Sequence, residues 1–204
     1  MQVNQAFQVI DKNELSRKRI EVGIKLLQAV IMPTLIFGAE TWNKLTEKEK
    51  TEINNVQTTF LSRLLRVPKT TPKCALIHET NSTKVEHLAN QRKLEYYIDL
   101  HNREETRLEV RIRKYQEETN MSYEKEIEEL KKLYKIEDNL KKIEKREGKN
   151  SVKKAIEEKN KEELKEQMSK GKKTQSIVKW KENYMEKLNF EDAKTIFKLR
   201  TNMI

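Results

Sequence analysis

From residue 53 to residue 78 the chain runs 26 residues without an aspartate or glutamate. With 33 acids in 204 residues, about four would fall there by chance, so the segment departs from the charge mixing of the rest. It carries Arg63, Arg66, Lys69 and Lys73, interleaved with Gln57, Thr58, Thr59, Ser62, Thr70 and Thr71. Cations set among hydroxyls and amides suit contacts to phosphate oxygens. On a helix, Arg63 and Arg66 would share a face, being three residues apart. A second acid-free run, 169–181, reads SKGKKTQSIVKWK and holds Lys170, Lys172, Lys173, Lys179 and Lys181. Trp180 within it either stacks on a base or sugar or packs in a core at helical spacing.

A catalytic constellation is hard to assemble. His78, His87 and His101 are scattered. Cys74 and His78 lie four apart, but two ligands are too few for a zinc site, and the alternative is a buried thiol beside a surface histidine. The chain has no phosphate-binding loop, no Gly-x-Ser-x-Gly and no His-Glu-x-x-His. The pairs Glu104–Glu105 and Glu128–Glu129 sit in lysine-rich helical text and read as solvated faces. No metal or cofactor is expected.

The elements that must position these residues read as helices. Ile20, Ile24, Leu27 and Ile31 give one apolar face over 14–31, which Pro33 must kink or end. The uncharged stretch 26–39 covers about three-quarters of the roughly 20 residues a bilayer needs, and Gln28 and Pro33 interrupt it. It is expected to be core, with Gly38 allowing close approach of another backbone. Thr46 and Glu49 form a capping-box pattern ahead of a helix over 46–66 with Ile53, Val56, Phe60 and Leu64 inward. Val67-Pro68 ends it, and Thr71-Pro72 restarts a short helix as cap and first residue. Another helix is expected over 85–101, with Leu88, Leu94, Tyr97 and Ile98 apolar.

Beyond residue 102 aromatics thin and Lys/Glu alternation takes over. Tyr123, Ile127, Leu130 and Tyr134 mark a helix that Ile136, Leu140 and Ile143 would extend. Residues 148–151 (GKNS) read as a break, followed by a thinner stripe of Val152, Ile156, Leu164 and Met168, then a second break at Gly171. Ile177, Trp180, Tyr184 and Leu188 give a further stripe. Asn189 is placed to cap a last helix holding Ala193, Ile196 and Phe197.

Composition agrees. Four glycines and three prolines leave little turn chemistry for a β fold, and Glu, Lys, Leu and Ile favour or tolerate helix. A single cysteine excludes an internal disulfide. The first 20 residues carry Asp11 and Glu14 and lack an apolar core, so no secretory signal is expected, and the expected setting is intracellular, nuclear or cytoplasmic. The net charge of +10 suits a polyanionic partner.

The order of segments resembles a known family. Ile24-Lys25-Leu26-Leu27, Ile31-Met32-Pro33-Thr34-Leu35 and Phe37-Gly38-Ala39-Glu40-Thr41-Trp42 resemble the region just after the palm in reverse transcriptases of non-LTR (LINE-type) retrotransposons. The family pattern there is approximately Pro-x-Leu-x-Tyr-Gly-x-Glu-x-Trp, with Phe37 here in place of tyrosine. Val56-Gln57, Leu64-Leu65, Pro68, Thr71-Pro72, Ala75-Leu76 and Glu79-Thr80 match the helices that follow. Asn81 stands where the family has a glycine, and Lys84 near its proline; asparagine tolerates the left-handed turn better than most residues. Lys179-Trp180-Lys181, Tyr184, Leu188 and AKTIFKLRTNM (193–203) resemble the ending before the family's cysteine-rich tail. The likeness is tight over 24–80 and 180–203 and loose between.

The resemblance implies an all-α fold: a thumb-like helical bundle over 1–101, with Phe37 and Trp42 packed inside it, then a charged helical C-terminal region over 102–204. The family's polymerase centre uses an aromatic-x-Asp-Asp turn, and this chain contains no Asp-Asp pair. The endonuclease and terminal cysteines of relatives are absent as well. The expectation is therefore a non-catalytic fragment of an RNA-directed DNA polymerase that grips the backbone of an RNA–DNA hybrid or duplex. Arg63, Arg66, Lys69 and Lys73 would meet phosphates and Gln57 a sugar or phosphate oxygen, with Lys170, Lys172, Lys173 and Lys179 as a second basic set. The palm and fingers of the parent polymerase are the other expected partner, and no membrane is. The alternative is a helical protein–protein interaction or scaffold module with no nucleic-acid role.

Overall fold

The computed structural model describes residues 19–119, 122–136, 144–171, 174, 177, 184, 185 and 188–201. The fold is all-α, 76% helical and without strands among the described residues. Helix α1 begins as Arg19–Leu26, passes through a π turn at Leu27–Ile31 and resumes as Met32–Leu35. Then come α2 (Glu47–Leu64), α3 (Lys73–Glu79), α4 (Val85–His101), α5 (Leu108–Glu118), α6 (Ser122–Tyr134), α7 (Lys145–Lys170) and α8 (Phe190–Arg200).

The chain divides into two units. One comprises Met1–Phe37, Lys50–Val85 and Lys161–Ile204, the other Gly38–Glu49 and Glu86–Asn160. The division is interleaved along the sequence, and the expected boundary at 101/102 falls inside the second unit.

In the first unit, Ile20, Ile24, Leu27 and Ile31 are buried as their spacing predicts. Pro33 does not end α1. Having no N–H, it leaves the ladder one bond short, and the helix widens there: Met32 N–H bonds the Leu27 carbonyl, five residues back. The run Arg19–Thr41 reaches a mean hydropathy of 1.7 over an 18-residue window, long and apolar enough to cross a membrane by length and composition, with 39% of that window buried. Gly38 works differently from expectation. Its φ of 71° ends the helical run in the left-handed region, and a Cβ there would meet nothing within 4 Å. The close approach belongs to Gly23, where a Cβ would stand 2.2 Å from Leu64 Cδ1. Phe37, expected inside, is 80% exposed; the chain turns at Gly38 directly after it, leaving the ring outside.

Helix α2 starts at the capping box: Thr46 N–H donates to Glu49 Oε2 (2.8 Å) and Glu49 N–H to Thr46 Oγ1 (3.3 Å). It ends in a Schellman turn. Arg66 takes φ 51°, Val67 N–H bonds the Ser62 carbonyl (3.0 Å) and Arg66 N–H that of Arg63 (3.2 Å). The same turn closes α3 with Asn81 at φ 46°, so asparagine does take the left-handed position. Pro72, not Thr71, is the α3 N-cap; the Thr71 hydroxyl instead bonds the Pro68 carbonyl at 2.6 Å. Asn54 Oδ1 accepts from Val85 N–H at 3.0 Å and so caps the start of α4 from α2. Asn189 caps α8 as expected, accepting from Asp192 N–H at 3.0 Å.

The core of the second unit joins Leu94, Tyr97 and Ile98 of α4 to Ile127, Leu130 and Tyr134 of α6 and Val152 and Ile156 of α7. Two sequence expectations fail here. Gly148 is no break: it lies buried within α7, and a Cβ on it would stand 3.3 Å from Ile98 Cδ1, so the glycine admits α4. Nor does α6 continue through Ile136. Lys135 takes φ 53° and Ile136 N–H returns to the Lys131 carbonyl (2.9 Å), another Schellman turn. Leu140 and Ile143 lie outside the described residues. The Tyr134 hydroxyl is held by Asn90 Nδ2 (2.9 Å) and His87 Nδ1 (2.8 Å).

Candidate nucleic-acid interface

The acid-free segment runs from the middle of α2, around the Schellman turn, to the end of α3, all within the first unit. Arg63, Arg66, Lys69 and Lys73 are exposed. Arg63 is in the last turn of α2. Arg66 lies two residues beyond the helix, at the left-handed position, so the turn rather than helical periodicity sets its direction; the simple i, i+3 relation expected of the two arginines does not apply. The Lys73 ammonium donates to Asn55 Oδ1, which anchors the first residue of α3 to α2.

Arg66 has a partner that no local pattern in the sequence discloses. Its guanidinium carbon is 5.4 Å from the centroid of the Phe190 ring, the first residue of α8. Arg19 approaches the same ring at 5.5 Å and Lys194 at 5.7 Å. A guanidinium lying over an aromatic face loses freedom but keeps its edge donors for a phosphate fork. Phe190 also brings in its own helix: Glu191 and Asp192 follow it, both exposed, in the first turn of α8. A segment free of carboxylates is thus not the same as a surface free of them.

The neutral polar residues fare worse than the cations. Gln57 does not belong to the exposed set: it is 0% exposed, and its Nε2 donates to the Thr83 carbonyl at 2.9 Å. Its Oε1 has no hydrogen-bond partner among the described residues. Thr58 and Ser62 are buried and bond their own helix, Thr58 Oγ1 to the Asn54 carbonyl (3.1 Å) and Ser62 Oγ to that of Thr58 (2.8 Å). Thr71 is buried too. Only Thr59 and Thr70 of the six remain exposed. On α2 the turn that presents Arg63 outward also points Gln57, Thr58 and Ser62 inward, and small hydroxyls are tolerated there because the i−4 carbonyl satisfies them.

Of the second basic run, Lys170 is exposed at the end of α7 and pairs with Glu166 at 2.6 Å. Lys172, Lys173, Lys179 and Trp180 lie outside the described residues. Cys74 is half-buried, and burial pushes its thiol up from the usual cysteine range, which disfavours the thiolate a metal or a nucleophile requires. His78 turns toward the neighbouring Glu79, with Nδ1 3.4 Å from Oε1.

The fold therefore defines a class, an all-α protein with an exposed cationic turn between α2 and α3. No protein-family model matches the chain, and no curated protein or solved structure matches it.

Proposed function

We propose that the chain is a non-catalytic nucleic-acid-binding protein that holds the sugar–phosphate backbone of an RNA–DNA hybrid or duplex through the α2–α3 turn. One observation carries the reading: four cations, Arg63, Arg66, Lys69 and Lys73, are all exposed along 11 consecutive residues that contain no acid. Phosphate is the anion with the repeat to engage several such cations together, and binding of this kind is insensitive to base sequence and steeply dependent on salt. Gln57 takes no part in it. The family half of the reading, a post-palm fragment of a non-LTR retrotransposon reverse transcriptase, rests on the order of residues over 24–80 and 180–203 alone.

The experiment is a salt series of fluorescence-anisotropy titrations with a labelled RNA–DNA hybrid and a labelled DNA duplex. The wild-type chain is compared with Arg63→Glu/Arg66→Glu. Weakened binding with a shallower salt dependence supports the reading. Unchanged affinity at low salt removes this face and leaves the interaction-module alternative.

A further inference from the structure

Helix α5 keeps an apolar stripe in water. Leu108 is 66% exposed, Ile112 48% and Tyr115 59%, at spacings of four and three that align them on one helix face. The opposite side of α5, with Val110 and Arg113, is the buried one. In heptad terms the three fall at d, a and d. Arg111 and Glu118, both exposed, are one heptad apart and flank the stripe on the same side, each at g.

That pattern is self-complementary. When two copies of such a helix pair antiparallel about a two-fold axis, g residues face g residues and a residues face d residues. The register that puts Ile112 across from Tyr115 of the second copy also puts Arg111 across from Glu118 of the second copy. The two-fold then repeats both contacts, giving two ion pairs from two residues. A parallel pair would set Arg111 against Gln116 and form neither. Beside the stripe is a cleft of about 350 Å³ to which Ile112 contributes, with Trp42, Tyr96 and Leu100 among its other walls. Facing Ile112, the Tyr115 ring of the second copy would be seated at this cleft. Protruding group, receiving cleft and opposite charges thus all belong to one patch, as an isologous interface requires.

We propose that the chain self-associates through antiparallel pairing of α5. The inference is independent of the nucleic-acid reading. An 11-residue helix spans about 16 Å, so the interface is below standard size and the pairing is weak and concentration-dependent.

Sedimentation velocity at low salt, from about 5 to about 500 µM, tests it. The wild-type mass is expected to rise from 24.4 kDa toward twice that value. Arg111→Glu and Glu118→Arg should each weaken the association about tenfold, because each sets like charges together twice. The double variant carrying both changes should regain wild-type association, since the pairs are merely exchanged. Ile112→Asp should remain monomeric. All three positions are exposed, and a far-UV circular dichroism spectrum matching wild type verifies that the variants fold. A wild-type chain monomeric throughout, single reversals without effect, or a double variant that fails to recover overturns the proposal.

Discussion

The Arg200 guanidinium stands 3.0 Å from the Glu79 carboxylate, with both side chains almost wholly withdrawn from water. The pair ties α8 to the end of α3. Arg200 also donates to the Ile177 carbonyl at 3.3 Å and lies over the Tyr184 ring at 5.0 Å. Burial, followed by the negative charge of Glu79, pushes the Tyr184 phenol above the ordinary tyrosine range, so the ring stays neutral beneath the guanidinium. Removing one charge of such a pair strands the other, at a cost of about 3–5 kcal/mol; replacing both by apolar groups of similar volume costs far less. Glu79→Ala is therefore expected to lower the urea midpoint sharply. Glu79→Leu combined with Arg200→Met is expected to lower it less than Glu79→Ala does. The comparison of equilibrium urea curves checks both.

The two helical glycines should respond differently to alanine. At Gly23 the added Cβ meets the wholly buried Leu64 at 2.2 Å from Cδ1 and 3.0 Å from Cγ, too close for a small rotation to relieve. Gly23→Ala should cost about 1–3 kcal/mol by overpacking, and Leu64→Ala in the same chain should cancel part of that cost, making the pair non-additive. At Gly148 the nearest atom is 3.3 Å away. There the gain in helix propensity, up to about 1 kcal/mol, opposes a slight displacement of Ile98, and the melting temperature should change little. Thermal melts of the four variants measure this.

Local rules and tertiary rules were unequally legible. The Thr46–Glu49 box, the Asn189 cap and the 20–24–27–31 stripe involve residues within one or two turns of each other, and the chain alone determines them. Gly148 and Gln57 failed for the opposite reason. A glycine between polar residues looks like a break until α4 is laid against it, and a glutamine among cations looks solvent-facing until Thr83 offers its carbonyl. Phe37 misled because an apolar block tells which residues avoid water on average, not where the backbone turns. The exposed cations were legible because long charged side chains reach solvent from almost any position; Phe190 under Arg66 was not, because it comes from a distant helix.

Asp99 gives the second unit a dependence on acid. Burial alone would raise its pKa, but hydrogen bonds and charges from Lys149 and Lys145 outweigh burial and hold it below the usual 3.8. Lys149 Nζ is 2.8 Å and Lys145 Nζ 3.1 Å from Oδ1. A carboxyl depressed in the folded state stabilises that state above its unfolded pKa, and the contribution is lost as pH falls through the folded value. Stability should thus be level from neutrality to about pH 5 and decline below about pH 4. Asp99→Asn should flatten that part of the decline and cost about 1 kcal/mol or less at pH 7, both lysines being partly solvated. Urea midpoints of both chains across pH 3–7 follow from this and are the measurement to make.

The cationic turn and the buried amide beside it can be separated by salt. Each phosphate contact made by a lysine or arginine contributes close to one unit to the slope of log K against log salt. Arg63→Gln and Arg66→Gln should each reduce that slope by about 1, with equal losses on hybrid and duplex because no base edge is read. Arg66→Gln should in addition lower stability by about 0.5–1 kcal/mol, through loss of its contact with Phe190. Gln57→Leu should do the reverse. It deprives the Thr83 carbonyl of its donor and costs about 1 kcal/mol, yet leaves both affinity and salt slope at wild-type values, because the amide is sealed from any ligand. A Gln57→Leu chain that folds normally but binds less would contradict this placement, and equal slopes for wild type and both arginine variants would move the backbone contact away from the α2–α3 turn.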